Sequence, residues 1–327
     1  MPHTKAIDLA LQGGGAHGAF TWGVLDYLLE SPQVRIEAIS GTSAGAMNGV
    51  VMADALTRGG EPAAREALRG FWQAVSRAAM LSPIRRTPLD IWMGNWSLDY
   101  SPGYLALDFM SRVVSPYQFN PLNVDPLREI VTDLVDFERV RQCEYLNLYV
   151  CATNVRTGKQ RIFSREEMTC DALMASACLP FLHQAVEIDD EAYWDGGYMG
   201  NPALFPLMEE CRARDIVIVQ INPIQRDKIP HTAAEILNRL NEITFNASLI
   251  KEIRTYRRHA QAPDSRERGG YRLLSRCSVP PHQRRYHPGR PVGLEQAQCR
   301  MGLSVPPARC RSPGGPRVAR GQLRRAR

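Results

Sequence analysis

Two short apolar runs, each ended by a glycine-dense turn and followed by a stretch of helical spacing, open this chain and limit its fold more than any other feature. Ala6 to Gln12 reads as a strand suited to a buried parallel sheet. Gly13-Gly14-Gly15 breaks it, and Ala16 to Glu30 then sets Phe20, Val24, Tyr27 and Leu28 along one helical face. Arg35 to Ser40 repeats the strand and Gly41-Thr42-Ser43-Ala44-Gly45 repeats the turn. Small residues from Ala44 to Leu56 repeat the helix, which ends at Gly59-Gly60. A β-α-β-α opening implies parallel strands with helices packed on the sheet, an α/β fold.

The pattern continues beyond the opening. Glu61 to Ala79 has helical spacing, and Asp125-Pro126 supplies an N-cap and first-turn proline for a helix to about Asp136. Tyr145 to Thr153 is strand-like, with Gln160 to Ser164 as its expected hairpin partner, and Glu166 to Cys178 reads as a helix closed by Pro180. Ala185 to Ile188 and Ala192 to Trp194 form a second predicted hairpin, which delivers Asp195-Gly196-Gly197. A helix over Asn201–Arg212, a buried strand over Asp215–Ile221 and a long amphipathic helix from His231 to about Arg258 complete the patterned part.

Charge divides the chain. Of a net +6, residues 263–327 carry +12, from 15 arginines against Asp264, Glu267 and Glu295, so residues 1–262 carry −6. The last segment also holds nine prolines and no apolar periodicity. It is expected to be a disordered basic tail or the product of an out-of-frame coding segment, appended to one domain over 1–262. The eight cysteines are scattered without a C-x-x-C pair, which points to free thiols in a reducing compartment rather than to a disulfide framework or a metal site. The apolar run near Met1 is too short for a secretory signal, and no run of 18 apolar residues appears, so a cytoplasmic protein is expected.

Three short motifs carry chemistry. Gly41 to Gly45 is G-x-S-x-G between a predicted strand and a predicted helix, where a sharp turn lifts the Ser43 hydroxyl out of the sheet edge and glycines tolerate the crowding. Gly13, Gly14, Gly15 and Ala16 expose backbone N–H groups at a helix N-terminus, an arrangement suited to a developing oxyanion. Asp195-Gly196-Gly197 holds a carboxylate at a strand end, where a simple turn is the plainer reading of the motif alone. The glycine loop also fits the dinucleotide fingerprint G-x-G-x-x-G. That fingerprint wants an acid at the end of the next strand, and here the next strand runs into Ser43 with Glu37 in its middle. A Ser-His-Asp triad needs a histidine after the acid. His231 opens a helix, His259 lies in poorly patterned sequence, His282 and His287 fall in the tail, and His183 precedes the acid.

The glycine loop, the serine elbow and the D-G-G turn in this order, with Ala175-Ser176-Ala177-Cys178-Leu179-Pro180 ahead of the aspartate, resemble the patatin-like phospholipase family over roughly residues 7–222. His17 stands where many relatives carry Arg or Lys. The resemblance implies a three-layer α/β/α sandwich around a mostly parallel sheet. It makes Ser43 the nucleophile and Asp195 its base, with Gly13, Gly14, Gly15 and Ala16 as the oxyanion hole and Gly41, Gly45, Gly196 and Gly197 in support. It implies a hydrolase of carboxylic esters in phospholipids or acylglycerols, with transient contact to a membrane or micelle surface. No metal, cofactor or nucleic acid is expected. A thioesterase or acyltransferase using the same pair, and a silent lipid-binding protein, are the rival readings. The breaker-rich segment 83–124, with Trp92, Trp96, Tyr100, Tyr104, Phe109, Tyr117 and Phe119, is then a candidate cap over an acyl-chain groove, or plain packing. The helix over 231–258 is similar to the C-terminal extension of some bacterial members.

Overall fold

The computed structural model describes residues 5–81, 113–211, 213, 215–260 and 272–278. In chain order these form β1 (Lys5–Leu11), α1 (Gly18–Glu30), β2 (Val34–Thr42), α2 (Ala44–Leu81), α3 (Pro116–Phe119), α4 (Pro126–Leu134), α5 (Phe137–Arg141), β3 (Asn147–Asn154), β4 (Gln160–Ser164), α6 (Cys170–Ser176), β5 (Val186–Ile188), β6 (Glu191–Asp195), α7 (Phe205–Glu210), β7 (Asp215–Gln220), α8 (Ala233–Ala260) and β8 (Arg272–Ser278). The eight strands make one sheet in the order β5-β6-β3-β2-β1-β7-β8, with β4 also paired to β3. The run β3-β2-β1-β7-β8 is parallel throughout, and β4, β5 and β6 join antiparallel at the β3 end.

Strand alternation divides the core into two layers. On one face Ile7, Leu9 and Leu11 of β1 and Val217 and Val219 of β7 pack with Val24, Leu25 and Leu28 of α1 and Met47, Val50, Leu68 and Phe71 of α2. On the other, Ala10, Ile216 and Ile218 pack with Leu207 of α7 and Leu249 and Ile253 of α8. Successive strand residues point to opposite faces, so a strand buried on both sides needs apolar residues at nearly every position, as Ile216-Val217-Ile218-Val219 provides. Helices on both faces of the sheet give the three layers of an α/β/α sandwich.

Helix α2 is broken where the glycine pair predicts. Gly60 has φ +68°, and Pro62 sits in the first turn of the second segment, where its missing N–H costs nothing. The expected helix over Glu166–Cys178 is shorter. Arg165–Glu167 forms a 3-10 turn, and α6 starts only after Thr169, whose side chain caps the Ala172 N–H at 3.1 Å. The expected helix from Asn201 likewise begins later, at Phe205, because Asn201 is drawn into the interior by a bond described below.

One strand lies beyond the patterned part of the sequence. No element was expected after residue 262, yet Arg272–Ser278 forms β8, parallel to β7 at the sheet edge. A strand needs no apolar periodicity of its own when a neighbouring ladder supplies its hydrogen bonds. The rest of 263–327 lies outside the described residues, as do 83–112 of the expected cap. Among the described residues, Cys143, Cys151, Cys170, Cys178 and Cys211 are free thiols, and no helix is long and apolar enough to cross a membrane.

Candidate active site

Ser43 is the single residue between β2 and α2 and has φ +51°, the left-handed region that costs a non-glycine residue about 1–2 kcal/mol. Strain of this kind persists only when the surroundings hold it. Here the Ser43 N–H donates to Ser176 Oγ at 2.9 Å, and its carbonyl accepts the Met47 N–H at 2.9 Å. Just before the turn, Thr42 Oγ1 donates to the Gly200 carbonyl at 2.6 Å and Ser40 Oγ to the Ala203 carbonyl at 2.5 Å. The crossing of the elbow over β1 is so close that a Cβ on Gly45 would overlap the Leu11 carbonyl. A Cβ on Gly13 would lie 2.8 Å from Ser43 Cβ and 2.9 Å from the Thr42 carbonyl oxygen. Gly41 packs in the same way under the Gly45–Ala46 backbone.

Asp195 ends β6, opposite Ala152 of β3, and its N–H is fixed to the Cys178 carbonyl at 2.7 Å. Its side chain is 1% exposed. The carboxylate accepts the Gly197 N–H at 2.7 Å and lies beside the Ser43 side chain. Burial outweighs the influence of both and pushes the carboxyl up to about 7. A carboxylate of ordinary acidity is a weak base, so this is the direction that proton abstraction from serine demands. Gly196 packs on the Cys151 carbonyl and Gly197 on the Phe245 ring of α8, which presses the turn against its neighbours. Among the described residues no histidine partners the carboxylate; His183 instead lies 3.7 Å from Asp125.

The glycine loop enters beside this pair. Gly13 is buried, Gly14 half-buried, and Gly15 and Ala16 exposed, with a 3-10 turn over Gly15–His17 leading into α1. Gly13 and its three successors differ in one respect. The Gly13 N–H is already spent on Asn201 Oδ1 at 2.7 Å. The N–H groups of Gly14, Gly15 and Ala16 have no acceptor among the described residues. Of the four N–H groups of this loop, three are therefore open among the described residues.

Three contributors have no role that the motifs assign. Ser176 stands in the Ala175–Pro180 segment with no role assigned to it by the sequence, yet its hydroxyl accepts the Ser43 N–H. Asn201 and Gln12 read as ordinary polar residues, yet both are fully buried at the site. The only signals for them are the Ala-Ser run ahead of Asp195, the Asn-Pro after the D-G-G turn, and a glutamine at the end of an apolar strand. Among the described residues no group of three or more His, Cys, Asp or Glu side chains is placed to hold a metal ion.

The family model described as patatin-like phospholipase matches residues 9–208, more than half of the chain, and takes in the glycine loop, Ser43 and Asp195. The chain belongs to the patatin-like phospholipase family. Among solved structures, this patatin-like chain is similar to VipD from Legionella pneumophila at 17% identity, with 84% of this chain and 57% of that one covered and a TM-score of 0.39. It is similar to ExoU, in its complex with SpcU from the type III secretion system of Pseudomonas aeruginosa, at 15% identity, with 76% and 52% covered and a TM-score of 0.31. The chain thus spans little more than half the length of either structure. Comparison with curated protein sequences returned no significant match.

Proposed function

We propose that this patatin-like chain is a lipid acyl hydrolase that cleaves carboxylic esters of phospholipids or acylglycerols through Ser43 and Asp195. The observation that carries the reading is the adjacency of Ser43, on its strained elbow, to a buried carboxylate pushed up to about 7, beside a glycine loop with open N–H groups. Membership of the family supports a lipid ester as the substrate class.

Ser43 Oγ attacks the ester carbonyl carbon while its proton passes to the Asp195 carboxylate. The carbonyl π electrons move to oxygen, and the N–H groups of Gly14, Gly15 and Ala16 hold that oxyanion, with the dipole of the following helix adding to the field. Collapse of the tetrahedral intermediate expels the alcohol, which takes the proton from Asp195. Asp195 then accepts a proton from water as the water attacks the acyl-serine. Release of the fatty acid returns the proton to Ser43 Oγ. The Gly197 N–H keeps the carboxylate aimed during both proton transfers.

The deciding experiment follows p-nitrophenol release from butyryl and octanoyl esters by the parent chain, Ser43→Ala and Asp195→Asn, with circular dichroism to verify folding. Both variants should lose about 10³-fold or more in kcat, as expected for groups that act as a unit. Fluorophosphonate should label the parent and not Ser43→Ala. A Ser43→Ala variant as active as the parent would overturn the proposal.

A further inference from the structure

Behind the glycine loop lies a set of four side-chain amides, three of them buried and Asn222 half-buried, that no step of the reaction uses. Asn201, at the end of the Asp195 turn, accepts the Gly13 N–H on Oδ1 at 2.7 Å. Its main-chain carbonyl accepts Gln12 Nε2 at 3.3 Å, and the same Gln12 nitrogen donates to Asn246 Oδ1 of α8 at 2.9 Å. Gln12 Oε1 takes the N–H groups of Ile221 and Asn222 at 2.8 and 2.7 Å. Asn222 Nδ2 returns to the Gly13 carbonyl at 3.1 Å, and Asn246 Nδ2 reaches the Glu242 carbonyl at 2.8 Å. Gly13 is thus held at both its N–H and its carbonyl. Gln12, Asn201 and Asn246 are each at most 1% exposed.

We infer that Asn201, with Gln12, is a positioning residue for the oxyanion loop, and that the amide network makes α8 part of the frame that aims the loop at Ser43. The inference rests on the reading proposed above. Two features favour positioning over ordinary core packing. The network closes on the one loop peptide adjoining the open donors, since Gly13 leads directly into Gly14. Asn201 also uses only its oxygen there, because Nδ2 has no hydrogen-bond partner among the described residues. An apolar residue would pack more cheaply in that place, and an aspartate would set a negative charge beside the developing oxyanion. The Asn201 oxygen lies 3.2 Å from where a Gly13 Cβ would stand, and that same point is 2.8 Å from Ser43 Cβ. An uncharged acceptor is therefore the group that fixes the loop without opposing the reaction. Linked amides polarise one another, so a break at α8 should be felt at the loop.

Asn201→Leu and Asn246→Leu, assayed beside the parent and Ser43→Ala on p-nitrophenyl butyrate, test the inference. Displacing reacting groups by about 1 Å can cost about 10²-fold, so Asn201→Leu should lose about 30- to 100-fold in kcat with KM within about twofold. Asn246→Leu touches no reacting atom and should lose about 3- to 10-fold in kcat, again at constant KM. Inhibition by an alkyl trifluoromethyl ketone, which adds Ser43 and forms an oxyanion, should weaken in each variant by the factor lost in kcat. General damage would move KM and the thermal midpoint without that correlation. If Asn201→Leu does not fold, Asn246→Leu carries the test alone. Folded variants that keep parental kcat and ketone affinity, while Ser43→Ala is dead, overturn the inference and leave the proposed function standing. A Ser43→Ala variant equal to the parent removes both.

Discussion

Ser43 and Asp195 take their conformation and burial from surroundings supplied by other elements. Asp195 is pushed up to about 7 chiefly by burial, so its basic form accumulates only as pH rises through neutrality. For the proposed reaction, kcat/KM on a soluble ester should rise about tenfold per pH unit below 7 and level off above it. A profile measured from pH 5 to 9 checks this, and a flat profile across 6–8 would contradict Asp195 as the base. Ser176 makes a second prediction. Its Oγ is the acceptor for the N–H of a residue in left-handed conformation. Ser176→Ala should cost about 1–3 kcal/mol in urea unfolding, the penalty of leaving a buried donor unmade, and Ser176→Thr should restore much of it. Ser43 and Asp195 are legible in the sequence because glycines flank them. Ser176 is not, because its role is a contact across 133 positions.

Among the elements, the β1–loop–α1 and β2–elbow–α2 units were readable because each strand ends in residues that cannot continue it. Their mutual approach was not. A Cβ on Gly45 would overlap the Leu11 carbonyl at the end of the neighbouring strand, so Gly45→Ala should force the backbone apart and cost about 1–3 kcal/mol, measured as a lowered thermal midpoint. The N-cap at Asp125 was readable too, and its side chain accepts the Leu127 N–H at 2.9 Å. Asp125→Ala should therefore cost about 1 kcal/mol in the same measurement. Helix α8 shows where periodicity fails. Leu249 and Ile253 are buried against the sheet, whereas Ile236, Leu240 and Ile243 are 44%, 54% and 51% exposed. Apolar residues line two faces of this helix, and spacing by itself does not say which one packs.

For the whole molecule, three carboxyls among the described residues, raised chiefly by burial, shape the response to pH. Asp8, Asp195 and Glu252 are each raised to about 7 from ordinary values of 3.8, 3.8 and 4.5, with burial the largest cause in every case. Between about pH 4 and 7 the folded chain therefore binds more protons than the unfolded chain, so stability falls as pH rises through that window. The thermal midpoint should be higher near pH 5 than at pH 8. Asp8 is fully buried, and among the described residues its carboxylate meets no side-chain partner, only the Ala38 backbone. Asp8→Asn should raise the midpoint at pH 8 and shrink the difference between the two pH values. An unchanged difference would show that Asp8 does not share in it.

Local chemistry was enough to place most strands, the glycine turns and the two candidate side chains at their ends, since each depends on neighbours in the chain: alternation buries a strand, and glycine alone permits its turns. It was also enough for the α/β class and for the family. What pairs across the sheet is a different matter. The β8 ladder, the Asn201–Gly13 bond that removes one of four expected donors, and the side of α8 that faces the core all join residues far apart in sequence. Such contacts form because burial makes an unpaired polar group or an empty space costly, and that cost arises only once the layers have closed on one another.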